Sequence, residues 1–452
     1  MRIALFASLF VTSLSLHAGA QTSEGRYIKD GLHHCKVWSD HYTPEDSVTW
    51  SGSCKSGYAE GKGQLNWFSQ QQVVATYTGD MKKGWPEGMG QYTIAGYGTL
   101  EGQFVKGNLH GKGRMRLENG GQMEGNFVNG NFLDLDDPYL VRLQKVKVNI
   151  PDSTTLYLFD KEAGSLFYYC LPPAVTTKAA LVLFPSTGES AENVISANKQ
   201  LIQQAYGEHI LVMVMSINYN KSLESDPAAF AYINQALTHA AQQYHIPTAN
   251  FILAGLSLGG ENSLQYTEMS RNPAFTTSIR PLAVIGVDPP VDMADLYTRA
   301  QEEIAIYTRD TTQLTPGRWA ALNEDRFIIN YFNQVYGGSP LQARERYIAG
   351  SSFTLHHQEG GNARYLLDVP VRIYCDPDIN WQMEQRSRDY YHMNAASLSA
   401  MVNFLQINGN TRAQFISALG KGYRVDGQRH PHSWSIVDPQ ECLVWIKSLL
   451  PE

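Results

Sequence analysis

The chain has 452 residues, 43% of them hydrophobic and 17% charged, and carries a formal net charge of −7. That length and apolar content are ample for a large core and fit a two-domain globule. The acidic balance, with no basic patch motif, argues against a nucleic-acid partner.

Residues 1–20 read as a targeting signal. Arg2 supplies the positive charge, Ile3 to Leu16 an apolar run, and Ala18-Gly19-Ala20 a small-residue cleavage site. The run is short for a membrane span. The first cysteine, Cys35, lies too far on for lipidation. Cleavage near Ala20 is expected to leave a mature, exported protein, periplasmic or secreted, that starts near Gln21. No other run is long and apolar enough to span a bilayer.

A repeat occupies much of residues 21–139. Tyr77-Thr78-Gly79-Asp80-Met81-Lys82-Lys83-Gly84 aligns with Leu100 to Gly107 and with Met123 to Gly130, so Gly79, Gly102 and Gly125 recur at a constant spacing of 23 residues. Gly88 and Gly90 return in register as Gly111 and Gly113. An earlier copy, Trp50 to Gly57 with Gly61 and Gly63, starts 27 residues upstream and so carries a four-residue insertion. These units resemble MORN repeats, with three full units and a truncated last one. Each is expected to form a β-hairpin whose Met81, Phe104 or Phe127 packs on its neighbour, because stacked hairpins bury what one alone cannot. In an oxidising compartment Cys35 and Cys54 are expected to pair and close the start of this sheet. Cys170, Cys375 and Cys442 read as buried residues of the following domain. None has metal-ligand spacing, and His33-His34-Cys35 reads as a chance stretch.

Residues 140–452 alternate strand and helix signals, which implies a parallel sheet. Lys145 to Ile150, Thr155 to Asp160 and Leu166 to Cys170 read as short antiparallel edge strands. Further strands are expected over Ala180–Phe184, Ile210–Ile217, Phe251–Ala254, Leu282–Val287, Val371–Cys375 and Gln414–Ser417. Helical stretches include Glu192–Ala205, Pro227–Gln243 and about Pro439 to Leu450. The segment from about 292 to 367 is too long for a plain crossover and reads as an inserted helical cap over the active site. His356-His357-Gln358-Glu359-Gly360-Gly361 reads as a polar loop of that cap.

The most informative motif is Gly255-Leu256-Ser257-Leu258-Gly259. An apolar run leads into it and a polar helix start follows, which is the strand–turn–helix context of a nucleophile elbow. The flanking glycines permit close backbone approach. The helix beginning at Leu258 favours negative charge developing at the serine. A general base must reach that hydroxyl and be oriented by a carboxylate. Arg429-His430-Pro431-His432-Ser433-Trp434 supplies two histidines, of which His432 is favoured. His430 suits a turn better. For the acid, Asp378 ranks ahead of Asp376, and both follow the strand Val371–Cys375. Asp288 in Val287-Asp288-Pro289-Pro290 is third, with substrate-site shaping or a helix N-cap as its plainer role. The Leu258 amide is one expected oxyanion donor. Pro185-Ser186-Thr187-Gly188 offers the other, at Thr187 or Gly188.

From about residue 143 to 450 the chain resembles the α/β-hydrolase family. The resemblance rests on the elbow, the His432-Ser433-Trp434 loop and the strand order. It implies an eight-stranded, mostly parallel sheet with helices on both faces, and an acid a few residues beyond a strand end, where Asp378 stands. Many relatives carry His-Gly where this chain has Pro185 to Gly188, which sets its oxyanion loop apart. The expected protein is an exported serine hydrolase acting on carboxylic esters, lipid-like ones included, with Ser257, Asp378 and His432 as its triad and no metal or cofactor. A serine peptidase or amidase of the same fold is the second reading, and a dead hydrolase scaffold binding through its MORN repeats is the third. The repeats are expected to hold the enzyme to a membrane, cell wall or protein partner.

Overall fold

The computed structural model describes residues 26–39, 46–150, 156–158, 166–309 and 314–450. The expected signal at residues 1–20 lies outside the described residues. The chain divides into two compact units. One holds the described residues up to Leu135 with Val425–Gln428, and the other holds Asp136–Arg424 and the chain from Arg429 onward. Among the described residues, no helix is long and apolar enough to cross a membrane.

The first unit is built from antiparallel hairpins. Strands Tyr58–Ser69, Gln72–Lys82, Trp85–Ile94, Gly98–Val105, Asn108–Leu117 and Gln122–Val128 each bond to the next. Lys83-Gly84 and Lys106-Gly107 connect successive strands with both residues at positive φ, 49° and 80° in the first and 47° and 80° in the second. This is the turn whose twist matches that of paired strands, and glycine takes its second position at no steric cost. The register then sets Gly63 against Gly79, Gly79 against Gly90, Gly90 against Gly102, Gly102 against Gly113, and Gly113 against Gly125. One file of glycines crosses all six strands. A Cβ on Gly79 would lie 2.5 Å from the Tyr77 hydroxyl, and one on Gly63 would lie 2.5 Å from the Trp50 ring. The file is therefore the floor on which these buried rings lie. Met81, Phe104 and Phe127 are buried with them in one apolar cluster. A disulfide joins Cys35 to Cys54, while Cys170, Cys375 and Cys442 are free and buried.

The second unit contains an eight-stranded sheet among the described residues: β1 (Gln144–Lys147), β2 (Phe167–Leu171), β3 (Ala179–Phe184), β4 (Ile210–Met215), β5 (Phe251–Leu256), β6 (Ala283–Val287), β7 (Val371–Cys375) and β8 (Ala413–Ser417). Their spatial order is β1-β2-β4-β3-β5-β6-β7-β8. β1 and β2 run antiparallel to their neighbours, and every other pairing is parallel. Every residue of β3 to β7 is buried. Such strands carry continuous apolar runs rather than alternation, which is why these segments were readable. Of the expected strand Thr155–Asp160, only Leu156–Leu158 is described, and it pairs with nothing as a strand.

Helices α1 (Ala191–Ala197), α2 (Lys199–Gly207), α3 (Pro227–Gln243) and α4 (Leu258–Met269) connect the central strands. Between β6 and β7 lie α5 (Met293–Tyr307), α6 (Pro316–Tyr336) and α7 (Arg344–Ala349). These three share their own apolar cluster of Met293, Tyr297, Phe332, Tyr336 and Tyr347. Phe353, Ala363 and Leu366 instead join the core beneath β7. The inserted layer is thus narrower than the expected 292–367. After β7 come α8 (Ile379–Arg386), α9 (Asn394–Ile407) and the closing α10 (Pro439–Leu449). Arg388 fastens the insertion through its guanidinium, at 2.8 Å from Glu303 on α5 and 2.9 and 2.8 Å from Glu324 and Asp325 on α6.

Helix α4 is buried from Gly259 to Met269 and carries two buried carboxyls, Glu261 and Glu268. Burial pushes Glu261 up to about 8 and Glu268 well above its ordinary range. A carboxyl whose folded pKa is raised contributes stability that is complete below about pH 4.5 and drains away as pH climbs to about 8. For Glu261 that loss is on the order of 4 kcal/mol. Glu261→Gln is expected to flatten the fall in denaturation midpoint between pH 5 and 8. A midpoint that falls as steeply in the variant would assign the dependence elsewhere.

Candidate active site

β5 ends at Leu256 and α4 begins at Leu258, with Ser257 alone between them at φ 55° and ψ −123°. A non-glycine residue in this region stores strain of roughly 1–3 kcal/mol, which the surroundings must hold. Here they do. A Cβ on Gly255 would lie 2.1 Å from the Gly259 carbonyl carbon, and one on Gly259 would lie 2.2 Å from the Phe184 oxygen. Strand, helix and the exit of β3 therefore meet at a distance that only glycine allows. The Ser257 amide donates to the Val287 oxygen at 3.0 Å, in step with the β5–β6 register, where Leu256 faces Val287. The residue that follows β6 is Asp288. Ser257 and Asp288 thus stand side by side at the carboxyl edge of the sheet.

Asp288 also has a positive φ, 47°. That turn carries its carboxylate to the histidine loop, where Oδ2 lies 2.7 Å from His432 Nδ1. Its Oδ1 accepts from the Cys375 thiol at 3.3 Å. Burial pushes that thiol far above its usual range, so it stays protonated and remains a donor. The Asn394 side-chain amide holds the Asp288 backbone oxygen at 3.1 Å.

The carboxylate that meets His432 is therefore Asp288 and not the expected Asp378. Asp378 does not meet His432. Its Oδ1 caps α8 by accepting from the Trp381 amide at 3.0 Å, and its Oδ2 lies 2.7 Å from Arg429 Nη2. Asp376 binds the same guanidinium at 2.8 Å and accepts from the Gly420 and Gly422 amides at 3.0 and 2.9 Å. Both carboxylates are consumed in fixing the chain that leads to the histidine. Arg429 stands three residues before His432 but some fifty residues after these acids, so only the fold shows that it neutralises them.

Among the described residues, His430 meets no carboxylate. Its Nδ1 lies 3.2 Å from the His432 oxygen, and its ring stands edge-on to Trp381 at 5.0 Å between centroids. Burial, with Arg424 nearby, drives its pKa well below the ordinary value. A neutral ring fits that setting. Among the described residues, the Ser257 hydroxyl has no hydrogen-bond partner and neither has His432 Nε2. Contacts of this kind are often long in unliganded sites and tighten when substrate binds.

The loop after β3 curls back on itself, with the Glu189 amide donating to the Ser186 oxygen at 3.1 Å. Its donors are unequally committed. The Ser186 amide is taken by Glu189 Oε2 at 3.0 Å and the Gly188 amide by the Asn218 oxygen at 2.9 Å. The Thr187 amide, on an exposed residue, has no partner among the described residues, nor has the Leu258 amide at the first turn of α4. Gly259 packs on Phe184 and Pro185, which brings this loop beside the elbow. Two unoccupied N–H donors near a strained serine are what an oxyanion requires. Among the described residues, no group of three or more His, Cys, Asp and Glu side chains is placed to hold a metal ion.

No protein-family model matches the chain, and no curated protein matches it. Solved structures similar to it include esterase B from Lactobacillus rhamnosis, at 12% identity and a TM-score of 0.42, covering 70% of this chain and 88% of that one. Carboxyl esterase 2 from Tuber melanosporum aligns at 13% identity and a TM-score of 0.43, covering 70% and 89%. MPT51 from Mycobacterium tuberculosis aligns at 11% and 0.42, covering 68% and 97%. Likeness at this distance assigns no activity to the chain.

Proposed function

We propose that the chain is a serine hydrolase that cleaves carboxylic esters through an acyl-enzyme. The observation that carries this reading is the 2.7 Å bond between Asp288 and His432 Nδ1, one register step from the strained Ser257. In the proposed reaction His432 Nε2 takes the proton of the Ser257 hydroxyl as its oxygen attacks the ester carbonyl. The carbonyl oxygen becomes an oxyanion, held by the Leu258 and Thr187 amides. As the tetrahedral intermediate collapses, His432 gives the proton to the departing alkoxide. Water then enters, loses a proton to His432 and attacks the acyl carbon, and Ser257 leaves with that proton restored. Asp288 keeps Nδ1 protonated, so that Nε2 is free to accept, and it stabilises the imidazolium that forms.

Export belongs to the same proposal. A disulfide between Cys35 and Cys54 supports an oxidising compartment. The hairpin sheet, which resembles MORN repeats in sequence, would serve as the part that holds the enzyme to a surface or partner. The test of the central claim is turnover of p-nitrophenyl acyl esters of graded chain length, run beside aminoacyl anilides. Ester hydrolysis well above anilide hydrolysis is the expected result. Anilide cleavage at equal or greater rate would make the protein an amidase, and no turnover of either with Ser257 unlabelled by a fluorophosphonate would remove the hydrolase reading.

A further inference from the structure

Glu189 is a buried carboxyl that the reaction above does not use. Its Oε2 accepts two hydrogen bonds from different loops. One comes from the Ser186 amide at 3.0 Å, one residue before the Thr187 donor. The other comes from the Trp434 indole Nε1–H at 3.1 Å, two residues after His432. Its own backbone oxygen accepts from the Asn218 side chain at 2.8 Å, which fastens it to the exit of β4. One side-chain oxygen therefore spans the oxyanion loop and the base loop, which are otherwise 245 residues apart in the chain. Resting on the proposed function, we infer that Glu189 is a positioning residue that holds the second oxyanion donor and the general base in mutual register.

The electrostatic setting fits. Burial raises Glu189 to about 7, against the opposing pull of its bonds from Ser186 and Trp434 and of the charges on His432 and Arg424. Those two are the titratable and charged groups that bear on it. The carboxyl thus loses its charge as pH falls below about 7, and a positive charge on His432 favours its charged form. A second proton is then expected in the acid limb of the rate profile, coupled to the first.

Three measurements decide this. The acid limb of kcat/KM on a small soluble ester is expected to be steeper than one proton in the natural protein. In Glu189→Gln, which keeps an oxygen acceptor but not the charge, it should become a one-proton limb. Glu189→Ala is expected to lower kcat on the order of a hundredfold, with a far smaller change in KM, because both loops lose their shared anchor. The third readout needs no turnover: in Ser257→Ala protein, the Trp434 indole N–H resonance, assigned with Trp434→Phe, should titrate with a midpoint near pH 7 and stop titrating when Glu189→Gln is added. Profiles that superimpose, an indole resonance indifferent to pH, or a Glu189→Ala loss that merely tracks its loss of folded protein would each overturn the inference. Because the resonance is read in an inactive protein, its answer stands apart from whether the ester reading survives.

Discussion

Ser257→Ala is expected to lower kcat on esters by on the order of a millionfold, since residues acting as a unit lose nearly everything when the nucleophile goes. It should also abolish labelling by a fluorophosphonate. The thermal midpoint should barely move. Alanine accepts the same φ of 55° at a similar strain, and the glycine contacts that enforce the turn are untouched. That combination separates chemistry from folding. Labelling that persists in Ser257→Ala would place the reactive group at another hydroxyl or thiol and sink the assignment. The three free cysteines are buried, which makes them poor substitutes.

The second large effect is at Asp288. Asn in its place can still meet His432 Nδ1, but its amide N–H₂ can present a donor there and select the wrong imidazole tautomer. A loss of roughly ten-thousandfold in kcat is expected. Asp378→Asn should behave differently. It weakens the Arg429 pair but keeps the α8 cap, because the asparagine oxygen can still accept from the Trp381 amide, and it should leave kcat within about tenfold of the natural protein, since Asp376 still holds Arg429. Measuring both variants at a pH where the natural enzyme is saturated gives a direct ranking. A larger kcat loss at Asp378 than at Asp288 would return the acid to the strand after the insertion.

This pair of aspartates shows where sequence reading stops. The elbow was legible because its demands are local: a sharp turn, two glycines and a following helix all fall within a dozen residues. The hairpin repeats were legible because a constant spacing is itself the signal. The central strands announced themselves as unbroken apolar runs. The acid was different. Asp288, Asp376 and Asp378 all follow strand ends, and what separates them is which cation or ring the fold delivers to each. Arg429 reaches the last two, and the φ of 47° at Asp288 sends the first to His432. Neither fact has a local signature. The oxyanion loop lies between these cases. Thr187 was named from its place after a strand, but that its neighbours' amides are already engaged is visible only when Glu189 and Asn218 are in position.

The glycine file in the hairpin sheet has a consequence for how such a chain can change over generations. Removing or adding one residue within a strand turns its side chains to the opposite face, and would set a Cβ where the Tyr77 or Trp50 ring now rests. The file tolerates a change of length only in steps that return a glycine to the same row. For the regular units that step is the full 23 residues. The four extra residues in the first copy lie between Gly63 and Gly79, toward the tip of the hairpin formed by Tyr58–Ser69 and Gln72–Lys82, and leave the row from Gly63 to Gly125 intact. Relatives of this protein should therefore differ by whole hairpins, or by even additions at a hairpin tip that leave the glycine row in place.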